Sequence, residues 1–117
     1  MKLIKQRHHG DCAIAAIAMF VGVSYEDVEK KLSKVELYAG LTEEREVEVI
    51  GSFGIKSEIR MNETWDPSEP AVLSVPSLNL DSTLHAVYWD GSRIYDPSTK
   101  NFYIELPDRI EYAIQRV

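Results

Sequence analysis

The chain lacks several features that would place it in common classes of protein. It has one cysteine in 117 residues, and a single cysteine cannot close a disulfide within the chain. It has no basic run interleaved with aromatic residues, and its 13 Lys and Arg against 19 Asp and Glu give a formal net charge of −6. Because this charge repels a phosphate backbone, we expect no nucleic-acid partner.

Long hydrophobic runs are also missing. The most apolar stretch, residues 13–23, is too short to span a bilayer, and no apolar stretch near the N-terminus is long enough for a signal peptide. We therefore expect a cytoplasmic protein without membrane insertion. Because the chain has no repeats or linkers and a hydrophobic content of 44%, residues 1–117 are expected to form one domain around one core.

The first half of the chain carries helical patterns. Residues 12–21 are almost all apolar, which is typical of a helix that is buried on every side. Ser24 is a good N-cap for a second helix, whose apolar positions recur at helical spacing as far as Val35. Thr42 caps a third helix, and its charged residues 43–46 are expected to face solvent.

The second half carries strand patterns. The predicted strands cover residues 55–60, 70–75, 83–89, 92–95 and 102–106, and residues 107–117 are predicted to form a closing helix. Asp90-Gly91 between two strand-like runs is a strong local signal for a hairpin. Helices followed by an antiparallel sheet give an α+β fold, with the buried helix packed on the sheet.

A turn at Asp90-Gly91 predicts which side chains of the hairpin meet. If these two residues form the loop, Trp89 faces Ser92 and His85 faces Asp96. The Cβ atoms of opposed residues lie about 4.5–5.5 Å apart, a separation at which a carboxylate can hold an imidazole in one orientation and tautomer. The pairing depends on a loop with an even number of residues.

Cys12 stands where the buried helix begins, and its thiol is a packed group, a reactive group or a metal ligand. A helix N-terminus favours the thiolate, and an adjacent imidazolium favours it further. The carboxylate of Asp11 acts in the opposite direction unless it caps the helix. Gln6 has a side-chain NH2 that could stabilise an oxyanion together with the backbone N–H of Cys12.

Two further histidines, His8 and His9, suggest a zinc site with Cys12 and His85. Structural zinc sites usually show ligand pairs at short spacing on both sides, and this chain has one cysteine and no second pair. We therefore expect no metal and no cofactor. His8 and His9 are expected to be loop residues.

The candidate residues have the types and chain order of a papain-like cysteine peptidase. Several segments strengthen the likeness: PAVLSV at 70–75, HAVY at 85–88 and IYDP at 94–97. The sequence resembles the double-glycine leader peptidases, the papain-like family found as the N-terminal domain of bacteriocin-exporting ABC transporters. The match runs from about Lys5 to Asp108. One residue differs, since Ala13 follows the cysteine where the family usually has glycine. We also expect a standalone peptidase-like domain without the transporter that accompanies family members.

The resemblance implies a papain-like fold and a thiol peptidase acting on a peptide or protein substrate. Cys12 would be the nucleophile, His85 the general base and acid, Asp96 the residue that orients His85, and Gln6 the oxyanion donor. The family cuts leader peptides after Gly-Gly. Two alternatives stay open, an acyltransferase or amidase that uses the same triad and a papain-like binding module without turnover.

Overall fold

The helices lie in the first half of the chain, as predicted. The computed structural model describes residues 3–5, 7, 11–61, 63–76, 84–97, 102–103 and 110–117. The helices in this part of the chain are α1 (Cys12–Val21), α2 (Tyr25–Glu29), α3 (Lys34–Ala39) and α4 (Glu43–Gly51). All of residues 13–20 are buried, which confirms α1 as the central helix. None of these helices is long and apolar enough to cross a membrane.

The predicted second helix is in fact two helices. The caps at Ser24 and Thr42 are confirmed, but α2 ends at Glu29. Ser33 then begins α3 with a capping box, in which its hydroxyl accepts the N–H of Glu36 at 3.3 Å while the Glu36 carboxylate accepts the N–H of Ser33 at 3.0 Å. The prediction of one helix as far as Val35 is therefore wrong, because Ser33 begins a new helix in which Val35 is exposed.

The strands form an antiparallel sheet in the second half of the chain. Those in the described ranges are β1 (Ser57–Met61), β2 (Ala71–Pro76), β3 (Leu84–Trp89), β4 (Ile94–Tyr95), β5 (Phe102–Tyr103) and β6 (Tyr112–Arg116). Their order in the sheet is β1-β6-β2-β3-β4-β5, and every neighbouring pair is antiparallel. The predicted α+β class is confirmed.

The C-terminal segment is a strand, and the closing helix predicted for residues 107–117 is wrong. β6 lies between β1 and β2, where Ile114 pairs with Ile59 on one side and Val72 on the other. Ala113 and Ile114 are both buried, on opposite faces of the sheet. A short apolar run covered on both faces shows no two-residue alternation, so its periodicity does not distinguish a strand from a helix. Residues 107–109 lie outside the described ranges.

The sheet separates two apolar clusters. On one face, α1 and α4 pack against the sheet and α2 packs on α1, and on the other face Trp65 and Trp89 belong to the second cluster. α1 lies chiefly against β3. This packing brings Cys12, at the start of α1, beside the strand that carries His85.

Candidate active site

The hairpin formed by β3 and β4 turns one residue later than predicted. Trp89 pairs with Ile94, and the N–H of Asp90 donates to the carbonyl of Arg93 at 3.1 Å, so the predicted pairing of Trp89 with Ser92 is wrong. The reason lies in the Asp90 side chain. Its Oδ1 accepts the N–H groups of Ser92 at 2.8 Å and Arg93 at 2.7 Å, which makes Asp90 the residue before the turn.

The shifted turn keeps His85 and Asp96 on the same face of the sheet. Moving the turn by one residue changes the pairing by two positions, so the register would place Asp96 opposite Val87. Side chains two residues apart in a strand share a face, and diagonal neighbours are within reach of long side chains. His85 Nε2 lies 2.7 Å from Asp96 Oδ1. The two side chains therefore meet, but diagonally rather than directly across the hairpin.

The thiol of Cys12 lies against the backbone of β3. The N–H of Ala86 donates to Cys12 Sγ at 3.3 Å. The register of the hairpin would place Ala86 opposite Pro97, beyond the end of β4, so this amide contacts the sulfur instead of a β4 carbonyl. A backbone donor and a helix N-terminus both favour the thiolate. This role of Ala86 cannot be seen in the sequence, because a backbone donor does not depend on the type of side chain.

The imidazole of His85 lies between the carboxylate of Asp96 and the thiol of Cys12. Burial lowers the pKa of His85, but hydrogen bonds with Asp96 and Cys12 and the negative charges of both groups outweigh burial and raise the pKa from 6.5 to about 10. A pKa raised in this way favours the imidazolium form, in which both ring nitrogens are donors. Since Asp96 takes Nε2, Nδ1 is left for the sulfur. The arrangement can form a thiolate–imidazolium pair.

Asp11 precedes the cysteine and is 1% exposed. Its side chain does not cap α1, which the sequence left as an alternative. Asp11 Oδ2 instead accepts the backbone N–H of Arg7 at 2.9 Å and the hydroxyl of Tyr25 at 2.6 Å. The Arg7 guanidinium lies 4.2 Å above the ring of Tyr25 and forms an ion pair with Glu26. These contacts link the segment before Cys12 to α2.

Glu46 is a second buried carboxyl group near the thiol. It is 2% exposed, and within the described part of the chain its Oε1 has no hydrogen-bond partner. Burial raises the pKa of Glu46 well above 4.5, and the negative charges of Glu43 and Cys12 raise it further. The prediction that residues 43–46 face solvent is therefore wrong for Glu46. Its spacing of three and four residues from the buried Val49 and Ile50 is the sequence signal that could have revealed its burial.

Three candidate residues, Gln6, His8 and His9, lie outside the described residues, so their expected roles remain predictions. In the ranges that the structure describes, no three His, Cys, Asp or Glu side chains are grouped so that they could hold a metal ion.

Comparisons with protein-family models and with curated proteins find no match for this chain. The function is therefore inferred from the geometry around Cys12, His85 and Asp96.

Proposed function

We propose that the protein is a cysteine hydrolase with a papain-like fold, which cleaves a peptide or another amide bond. The observation that carries the proposal is the 2.7 Å contact between His85 and Asp96, beside a thiol at the N-terminus of a buried helix. A nucleophile, a base and a group that orients the base are the parts that covalent catalysis requires.

The chemistry follows from these positions. The Cys12 thiolate attacks the carbonyl carbon, and the electron pair of the carbonyl bond moves to oxygen. The imidazolium of His85 gives its proton to the leaving amine as the carbon–nitrogen bond breaks, which leaves an acyl group on sulfur as a thioester. Neutral His85 then takes a proton from water, which attacks the thioester and releases the acid and the thiolate.

The surrounding groups act on the charges that develop during this cycle. Asp96 fixes the ring of His85 in one orientation and stabilises its positive charge. The N–H of Ala86 and the N-terminus of α1 stabilise the thiolate between cycles. The oxyanion of the tetrahedral intermediate needs donors of its own. The N–H of Cys12, in the first turn of α1, is one candidate donor and Gln6 is the other.

The proposed substrate is a peptide, cut after Gly-Gly in a leader segment, and the proposed location is the cytoplasm. The resemblance of the sequence to the double-glycine leader peptidases supports the substrate, and the short apolar runs of the sequence support the location. The imidazole between a thiol and a carboxylate supports turnover rather than a binding role alone. Binding of a peptide does not require a nucleophile, a base and a group that orients the base.

The proposal is tested by exposing the protein to a peptide library that contains Gly-Gly sequences, with Cys12→Ala as the matched control. Cleavage by the wild type and none by Cys12→Ala or His85→Ala is the expected result. Addition of glycinamide distinguishes hydrolysis from acyl transfer, since an acyltransferase would form the amide product. Peptides that stay intact with the wild type, or that Cys12→Ala also cuts, contradict the proposal.

A further inference from the structure

We propose that Asp11 is a positioning residue, which together with Tyr25 fixes the backbone before Cys12 so that the Cys12 N–H points at the oxyanion formed during the reaction. This inference rests on the proposed function. It concerns a different step from the one that His85 and Asp96 serve, because those residues act on the proton and on the thiolate.

The hydrogen bonds of Asp11 can hold the backbone before Cys12 in one position. One buried oxygen, Oδ2, accepts both the Tyr25 hydroxyl at 2.6 Å and the Arg7 N–H at 2.9 Å. Hydrogen bonds to a charged acceptor are roughly twice as strong as neutral ones. Burial, the hydrogen bond to Asp11 and the charge of Asp11 raise the pKa of Tyr25, so its hydroxyl remains a donor throughout the neutral range.

The Tyr25 side chain that binds Asp11 is itself held in place by α2. Tyr25 is the first residue of α2 and is buried, and α2 packs on α1. The Arg7 guanidinium lies over the Tyr25 ring and pairs with Glu26 in the same helix. Both ends of the segment from Arg7 to Asp11 are therefore tied to α2, and Gln6 directly precedes this segment in the sequence.

The link to the oxyanion runs through the peptide unit between Asp11 and Cys12. This unit carries the Cys12 N–H, and its orientation depends on the backbone of Asp11, which has φ −102° and ψ 20°. Loss of an oxyanion donor typically costs about 10²- to 10³-fold in rate, and a misplacement of about 1 Å can cost 10²-fold. The thiolate is stabilised by the N–H of Ala86, by the imidazolium of His85 and by the N-terminus of α1, whereas the Tyr25 hydroxyl donates to Asp11 and not to the sulfur.

Two reagents that react with Cys12 distinguish a loss of the oxyanion donor from a loss of the thiolate. Iodoacetamide alkylates the thiolate at a saturated carbon and forms no oxyanion, whereas p-nitrophenyl acetate transfers its acetyl group through a tetrahedral oxyanion. Tyr25→Phe removes only the hydroxyl that binds Asp11. The matched control is Tyr95→Phe, which removes a hydroxyl that donates to another carboxylate, that of Asp90, at 3.1 Å in the hairpin.

We expect Tyr25→Phe to lower the rate of acetyl transfer by about 10- to 10²-fold while the alkylation rate stays within about twofold of the wild type. Asp11→Ala should show a larger loss, and Asp11→Asn, which keeps an acceptor oxygen, should recover part of it. Tyr95→Phe should leave the ratio of the two rates unchanged. Thermal unfolding followed by circular dichroism verifies that each variant is folded.

The inference is wrong if Tyr25→Phe lowers both rates equally or changes neither. These results differ from failure of the proposed function, in which the wild type itself reacts with iodoacetamide no faster than free cysteine. In that case the inference is wrong as well, since there is no activated thiol for Asp11 to serve.

Discussion

Asp96 and Glu46 are both buried carboxyl groups, but they differ in the groups that surround them. At the end of the β3–β4 hairpin, Asp96 is 8% exposed and lies 2.7 Å from the imidazole of His85. On α4, Glu46 is 2% exposed, and within the described residues its Oε1 has no partner. The negative charge of Asp96 raises the pKa of His85, whereas burial raises the pKa of Glu46 itself.

The difference shows that burial alone does not decide whether an acid is charged. A carboxylate keeps its charge in the protein interior when a cation or a donor compensates for the lost water, and it takes up a proton when none does. In this protein the carboxylate of Asp96 has the imidazole of His85 beside it, whereas the carboxyl of Glu46 is buried and, within the described residues, its Oε1 has no hydrogen-bond partner. Each can be altered separately to test the comparison.

The largest effect is expected from Asp96→Asn. An amide lacks the negative charge that raises the pKa of His85 and stabilises its imidazolium, so turnover of p-nitrophenyl acetate should fall on the order of 10²- to 10⁴-fold while the fold is retained. Asp66→Asn, in a loop away from the site, provides the matched control and should keep wild-type turnover. Undiminished turnover in Asp96→Asn would remove Asp96 from the site.

The titration of His85 tests the same pair without a substrate. Because its pKa is raised from 6.5 to about 10, the contacts of His85 stabilise the fold fully below pH 6.5, and this stabilisation is lost as the pH rises through about 10. Cys12→Ala and Asp96→Asn each remove a negative group and should lower the titration midpoint measured by NMR of the ring. A midpoint near 6.5 in the wild type would show that the imidazole is not held by these charges.

A smaller effect is expected from Glu46→Leu, which acts on stability. Within the described residues Glu46 Oε1 has no hydrogen-bond partner, and removal of this buried polar atom should raise the free energy of unfolding at pH 7 by about 1–3 kcal/mol. Since the folded pKa of Glu46 is raised, its ionisation costs stability only as the pH rises above 4.5, so the gain from Glu46→Leu should shrink towards acidic pH.

Chemical denaturation at several pH values measures this gain. Glu44→Leu, an exposed position in the first turn of the same helix, is the matched control and should change stability by less than about 0.5 kcal/mol. A loss of stability in Glu46→Leu, or a gain that does not depend on pH, would mean that Glu46 has a partner or is charged at no cost.

Much of the fold could be predicted from local signals. The apolar run of α1, the caps at Ser24 and Thr42 and the alternation in β1 each depend on neighbouring residues, and all of them are confirmed. β6 could not be assigned, because its burial on both faces depends on partners 38 to 59 residues away in the chain.

The site shows the same division between local and distant information. Asp96 could be matched to His85 because the contact tolerates a turn that moves by one residue, which leaves both side chains on one face. The amide of Ala86 and the link from Asp11 to Tyr25 could not be predicted. They arise from the packing of α1 against β3 and α2, which no local pattern describes.

Activation of the Cys12 thiol by His85 can be measured as the rate at which iodoacetamide alkylates Cys12 at different pH values. An ordinary thiol has a pKa of about 8.5 and reacts about 10³-fold more slowly at pH 5.5 than in its thiolate form. We predict that Cys12 in the folded protein reacts at pH 5.5 within about tenfold of its rate at pH 8, and that His85→Ala abolishes this enhancement. A rate no faster than that of free cysteine at both pH values, or reaction only after unfolding, would contradict the account.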